Sequence, residues 1–192
     1  MSSTAQSPTA QTDLADLIVH LARLGLSTTA TPLTAAQWTA LRYFARANRL
    51  SRTPSAFSGF HATTRGTASQ TVKSLVELGL LERRHNDSDG RSTLLDVTEA
   101  GHEMLERDPL EDMRKALARL SEQDQRALSA SLGQVAISLA EVREAPVFGT
   151  CVDCQHCQIG SDGSFCHQAQ GFLSTDEMAA ICVNFRPANA VI

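Results

Sequence analysis

Residues 64–97 read TRGTASQTVKSLVELGLLERRHNDSDGRSTLLDV, and the hydrophobic period changes inside them. Thr64 can cap a helix over Gly66–Leu78, and Gly79 suits the left-handed residue that ends one. Leu80–His85 then reads as a strand, Asn86–Arg91 as a polar turn and Ser92–Val97 as the returning strand. Asp89-Gly90 within that turn is a strong hairpin signal. On a helical wheel Ala68, Val72, Leu75, Val76 and Leu78 share one side, suited to a core. Thr67, Ser69, Gln70, Thr71, Lys73 and Ser74 cover the rest, Arg65 sits at the entrance, and no acid occurs before Glu77. A helix in a major groove needs small residues for close approach, an amide or guanidinium for base edges and cations for phosphates. Gln70 suits adenine, Arg65 suits guanine, and the hydroxyls suit phosphate or base contacts. Taken alone, the helix reads more simply as a polar surface helix. The hairpin directly after it reverses that preference.

Working outward, Leu14, Leu17, Ile18, Leu21 and Leu24 recur at helical spacing, with Gly25 as a stop. Pro32-Leu33-Thr34 opens a second helix with Thr34 as N-cap and Trp38, Leu41, Phe44 and Ala45 on its apolar face. A short helix covers Ser55–Phe60. After the hairpin, Thr98 caps another helix, Asp108-Pro109 kinks or restarts it, and Ser121 begins a long one carrying Leu128, Leu132, Val135, Ile137, Leu139 and Val142. The predicted fold class is mainly α with a small β-hairpin: a helix–turn–helix followed by a two-stranded wing, the plan of a winged-helix DNA reader.

Five segments lie in the order that such a reader requires: Leu33-Thr34-x-x-Gln37-Trp38-x-x-Leu41, Thr64–Leu75, Leu78–Arg84, Asp87–Arg91 and Val97–Gly101. Together, over residues 13–145, they resemble the MarR family of bacterial transcriptional regulators. In that family a wing arginine enters the minor groove and an acid two residues earlier steadies it; the resemblance implies those roles for Arg91 and Asp89. It also implies a homodimer made by the first and last helices. The residues agree independently, because both helices carry apolar stripes too wide for one small core to bury. Such a dimer would read two half-sites of a pseudo-palindromic duplex about one helical turn apart. One segment departs from the family pattern. Thr53–Gly59 is rich in Gly and Ser where the family tends to carry a Leu-Ala pair and charges.

Charge and cysteines are both unevenly placed. Between Leu17 and Val76 there are seven basic residues and no acid, whereas Asp96–Ala145 holds eleven acids against six bases. The formal net charge of −4 is the sum of these halves and says nothing against a polyanionic partner. The first 150 residues contain no cysteine; Cys151, Cys154, Cys157, Cys166 and Cys182 all follow. Pro146 and Gly149 mark a boundary, so the expected organisation is a flexible 1–12, a winged-helix and dimerisation unit over 13–145, and a cysteine-rich extension over 146–192. Four thiolates can close a tetrahedral zinc site or hold an iron–sulfur cluster. The Cys-x-x-Cys-x-x-Cys run and the fifth cysteine lean toward a 4Fe–4S cluster. Cys151, Cys154, Cys166 and Cys182 are the preferred ligands, with Cys157 as spare and His156 and His167 able to substitute. Buried apolar thiols or a simple redox pair are the other readings.

Composition bounds the remainder. With 192 residues, 42% of them hydrophobic and 20% charged, the chain is an ordinary globular one. It has no apolar run of membrane-spanning length and no secretory leader at Met1–Thr12, so a cytoplasmic protein without a membrane partner is expected. No Ser/His/Asp set, phosphate loop or His-x-x-x-His pair marks it as an enzyme. A thiol-redox enzyme would leave the wing and the acid-free helix without purpose. Two readings remain: a DNA-binding regulator whose cysteine tail senses metal or redox state by tilting the DNA-binding lobes of a dimer, or one answering a small-molecule effector, with a structural zinc tail.

Overall fold

The computed structural model describes residues 13–26, 32–85 and 93–188. Its elements run α1 (Leu14–Leu26), α2 (Ala35–Arg46), α3 (Pro54–Phe60), α4 (Arg65–Glu77), β1 (Leu81–His85), β2 (Thr93–Val97), α5 (Glu99–Leu105), α6 (Leu110–Leu117) and α7 (Glu122–Val142). A 3-10 turn at Cys151–Asp153, β3 (Cys157–Gly160), β4 (Gly163–Cys166), β5 (Gly171–Leu173) and α8 (Thr175–Met178) follow.

Hydroxyl caps start most of the helices. Thr34 accepts from the backbone N–H of Gln37 while the Gln37 side chain accepts from that of Thr34, a reciprocal box. Thr53, Thr64, Thr98 and Ser121 cap α3, α4, α5 and α7 in the simpler way. Gly79 ends α4 at φ +71°, a conformation that a Cβ disfavours. β1 and β2 pair antiparallel with Leu81 opposite Val97 and His85 opposite Thr93. The tip of that hairpin, with Asp89 and Arg91, lies outside the described residues.

Three sequence expectations change. Ala45, expected on the apolar face of α2, is exposed, and Ala40 and Tyr43 are buried there instead. Gly25 does not stop α1, which continues to Leu26. A Cβ on Gly25 would sit 2.2 Å from the Met113 methyl, so the glycine lets α1 lie close to α6. Leu78 does not reach the core; it follows the last turn of α4 and is more than half exposed.

The main core joins Trp38, Leu41, Tyr43 and Phe44 of α2, Phe57 of α3, Val72 and Leu75 of α4, and Leu81 and Leu95 of the hairpin. Residues from beyond α7 also belong to it: Ile181 is buried there, with Phe148 and Val183 packed alongside. Phe60 stacks edge-on against Phe148 at 5.3 Å, and Tyr43 lies 4.8 Å from Phe60. A Cβ on Gly59 would come within 3.0 Å of Pro146 and 3.5 Å of Phe148. The glycine of α3 is thereby explained, because Pro146 and Phe148 of the C-terminal segment lie over it. In contrast, α1 and α7 have no buried residue. Leu14, Ile18, Leu21 and Leu24 on one, and Leu132, Val135 and Leu139 on the other, face outward. Among the described residues no helix is long and apolar enough to cross a membrane.

Candidate functional site

Three buried residues hold α4 against the core: Ala68, Val72 and Leu75. Their spacing turns Arg65, Thr67, Ser69, Gln70 and Lys73 outward, all exposed, with Thr71 half-buried between the faces. The helix start is ordered by hydroxyls, with Thr64 Oγ1 2.9 Å from Thr67 Oγ1. Thr71 Oγ1 donates back to the Thr67 carbonyl at 3.1 Å. Ser74 is partly withdrawn, since Gln37 Nε2 of α2 donates to its Oγ at 2.8 Å. Lys73 lies 3.7 Å from Glu77, an exposed pair worth little in water. Gln70 and Arg65 therefore present amide and guanidinium on a face whose near edge holds no acid before Glu77.

The wing is anchored to this unit by charge. Arg52, just before α3, reaches Asp96 Oδ1 of β2 at 2.7 Å, and Arg84 of β1 reaches Asp96 Oδ2 at 2.8 Å. The Arg52 carbonyl accepts from the Leu95 backbone N–H at 2.8 Å. These contacts tie the base of the hairpin to the start of α3. Sequence reading missed Arg52 and Asp96, which carry no motif and meet across 44 residues.

All five cysteines are free thiols, and Cys151, Cys154, Cys166 and Cys182 are buried while Cys157 is half-buried. They lie close enough to affect one another. Burial first, and then Cys182, Cys157, Cys166 and Cys154, push the Cys151 thiol up to about 12. Burial and the neighbouring Cys166 and Cys154 also raise Cys157. Cys154 and Cys182 pack with Phe185 in a second small core, walled by Val147. Cys157 stands opposite Cys166 on the β3–β4 hairpin, and its Sγ meets Met178 Sδ at 3.7 Å. The Cys166 sulfur accepts from the Ala169 backbone N–H at 3.4 Å. His167 instead pairs with Gln158 at 3.0 Å. The donor set is soft and gathered. Even so, among the described residues no group of three or more Cys, His, Asp or Glu side chains is arranged to hold a metal ion.

A cavity of about 350 Å³ opens beside α2, lined among others by Leu26, Arg42, Tyr43, Arg46, Phe60 and Met113. Burial and then the neighbouring Cys182 raise the Tyr43 phenol, so it stays a neutral donor, and it gives its proton to the Ser51 carbonyl at 2.8 Å.

Residues 31–92 match the model of the MarR family. The matched residues run from just before α2 to just before β2. Solved structures agree on the fold. The transcriptional regulator SlyA is 23% identical with a TM-score of 0.57, covering 69% of this chain and 98% of its own. A MarR transcriptional regulator from Methanosarcina mazei Go1 is 19% identical at 0.54, covering 67% and 96%. MepR of S. aureus, in a DNA complex, is 21% identical at 0.52, covering 65% and 95%. Each leaves about a third of this chain unmatched. No curated protein matches the sequence. The helices and wing around the core thus share the winged-helix fold of these structures.

Proposed function

We propose that this chain is a sequence-specific, double-stranded-DNA-binding transcriptional regulator that acts as a homodimer, and that its C-terminal cysteines hold an iron–sulfur cluster or zinc. The observation that carries the DNA reading is the outward face of α4. It is polar, free of acid until its last residue, and set beside a hairpin whose base is clamped to α3. In this reading α4 enters the major groove. Arg65 and Gln70 meet base edges, Thr67, Ser69 and Thr71 supply hydroxyls, Lys73 neutralises phosphate, and Ser74 lies at the margin. Asp89 and Arg91 serve at the wing tip. The exposed apolar faces of α1 and α7 would meet a second copy, giving two reading heads for a pseudo-palindrome. Selection from a random duplex pool tests this. The recovered sequences should contain two related half-sites, and enrichment of no sequence would refute it.

For the cysteines, Cys151, Cys154, Cys166 and Cys182 would be the ligands and Cys157 the alternative. A bound zinc or cluster would compensate the charge of thiolates that are costly to ionise where they are buried. Side-chain rotation would be needed to complete the coordination. Metal analysis with a visible spectrum on anaerobically purified protein separates the two groups. Broad visible absorbance lost in air, with a change in DNA affinity, is expected for a sensing cluster. A colourless protein with one zinc and oxidant-indifferent DNA binding would end the sensing claim.

The cavity beside α2 favours a second reading, a regulator answering a small-molecule effector with a structural zinc tail. Its mostly apolar lining, with Arg46 at one side, suits a partly apolar ligand. Chelation would then leave DNA affinity unchanged.

A further inference from the structure

The C-terminal segment does not sit on the helices expected to make the dimer. It is laced into the loop between α2 and α3. Ile181 bridges Ala47 in parallel register: its N–H donates to the Arg46 carbonyl at 2.7 Å, and its carbonyl accepts from the Asn48 N–H at 2.9 Å. The next residue is Cys182, whose own N–H donates to the Gly149 carbonyl at 2.9 Å. The Val183 N–H then donates to Ser51 Oγ at 2.8 Å, across 132 residues. Ser51 is fully buried, and its hydroxyl passes its proton to Asn48 Oδ1 at 2.7 Å. Arg49 adds an ion pair to Glu177 of α8.

From Ser51 the connection to the DNA-reading elements is one residue long. Arg52 Nε donates to the Ala47 carbonyl at 3.0 Å, and the same guanidinium grips Asp96 of β2. Thr53, next in line, is the N-cap of α3. The backbone on either side of Cys182 is therefore hydrogen-bonded to the loop that sets both α3 and the base of the wing.

We infer that the C-terminal cysteine segment controls the DNA-reading elements of its own protomer through this seam, Arg46–Arg52 against Ile181–Val183, and not through the apolar helices α1 and α7. Ser51 is the positioning residue, since it alone joins the residue after Cys182 to the α2–α3 loop through a side chain. This rests on the DNA-binding and metal readings above, but the seam can be tested apart from both. Ordering the chain at Cys182 fixes Val183, which holds Ser51 and Asn48. Those hold the loop from which Arg52 steadies Asp96. Coupling of this kind needs an element with two arrangements that both ends bias. Here that element is the α2–α3 loop.

Amide hydrogen exchange on the full chain, zinc-loaded against chelator-treated, reads the coupling without DNA. Zinc should slow exchange in peptides spanning 48–60 and 93–97 as well as 151–188, and leave 14–26 and 122–142 unchanged. In Ser51→Ala, zinc should still protect 151–188, while 48–60 and 93–97 exchange roughly tenfold faster than in the zinc-loaded parent. The difference between zinc-loaded and chelated exchange at 48–60 and 93–97 should be large in the parent and vanish in the variant, which a purely structural loss at Ser51 would not produce. A zinc response of 48–60 that survives Ser51→Ala overturns the inference, and so does one that appears in 14–26 and 122–142 instead. If the chain retains no zinc, the metal reading fails and a second variant decides the seam. Val183→Pro removes the N–H that Ser51 accepts and should speed exchange at 48–60 in the metal-free protein. Unchanged exchange there overturns the seam itself.

Discussion

Asp108 is nearly buried, and two guanidiniums reach it: Arg42 Nη1 at 2.6 Å from Oδ1 and Arg114 Nη2 at 2.8 Å from Oδ2. The Leu110 backbone N–H also donates to Oδ1 at 3.0 Å, so the carboxylate ties α2 to the start of α6. Burial alone would raise its pKa. The Leu110 N–H, Arg114 and Arg42 together outweigh burial and hold it below the usual carboxylate range. A carboxylate depressed in the folded state contributes stability that is complete above its unfolded pKa and is lost as pH falls through the folded one. Asp108→Asn should therefore cost about 1.5–3 kcal/mol at pH 7, read from urea midpoints. The gap between variant and parent should close below roughly pH 4. A gap that is independent of pH would contradict this assignment. At this scale the sequence was most legible where chemistry is local. Thr34, Thr64, Thr98 and Ser121 announce their caps within three residues. Gly25 was misread because its reason lies in Met113, on another helix. Gly101 is explained by a similar close approach, since a Cβ there would sit 2.3 Å from the Leu80 carbonyl oxygen.

Helix α4 and the wing were readable as elements because their periods differ and because their turn and cap residues agree with both. The face that α4 buries is the one its wheel indicates, apart from Leu78 at its C-cap. Helix α3 was the least legible. Its Gly59 makes sense only against Pro146 and Phe148, which follow it by almost ninety residues. The ion pairs that fix the wing base were hidden for the same reason. One prediction belongs to α4. Gln70 is exposed, has no role in the core and offers the bidentate amide that suits adenine. Gln70→Ala should weaken binding to the selected duplex by about 1–3 kcal/mol and relax preference at one base pair per half-site, with no change in urea stability. An equal loss on every sequence would make Gln70 a phosphate contact instead.

For the whole molecule, the proposed homodimer would use the outward apolar faces of α1 and α7. Leu132 is 43% exposed in the middle of α7, on the side where Val135 and Leu139 also emerge. Leu132→Glu should convert a dimer to a monomer at micromolar concentration in sedimentation, leaving the core around Tyr43 and Phe57 intact. A variant that stays dimeric would place the interface elsewhere. Beyond its covalent link to α7, the C-terminal segment makes its hydrogen bonds across the fold to the α2–α3 loop, so on the seam inference assembly and cysteine chemistry are separable. The claim beneath all of this is that α4 and its wing read duplex DNA. The affinity of the full chain for its selected duplex, followed as salt is raised, tests that claim most directly. The account predicts tight binding that falls by about 10³-fold or more between roughly 50 and 200 mM salt, and a specific site preferred over random duplex by at least about 10³-fold. Binding that ignores salt, or that is equal on every sequence, would contradict it.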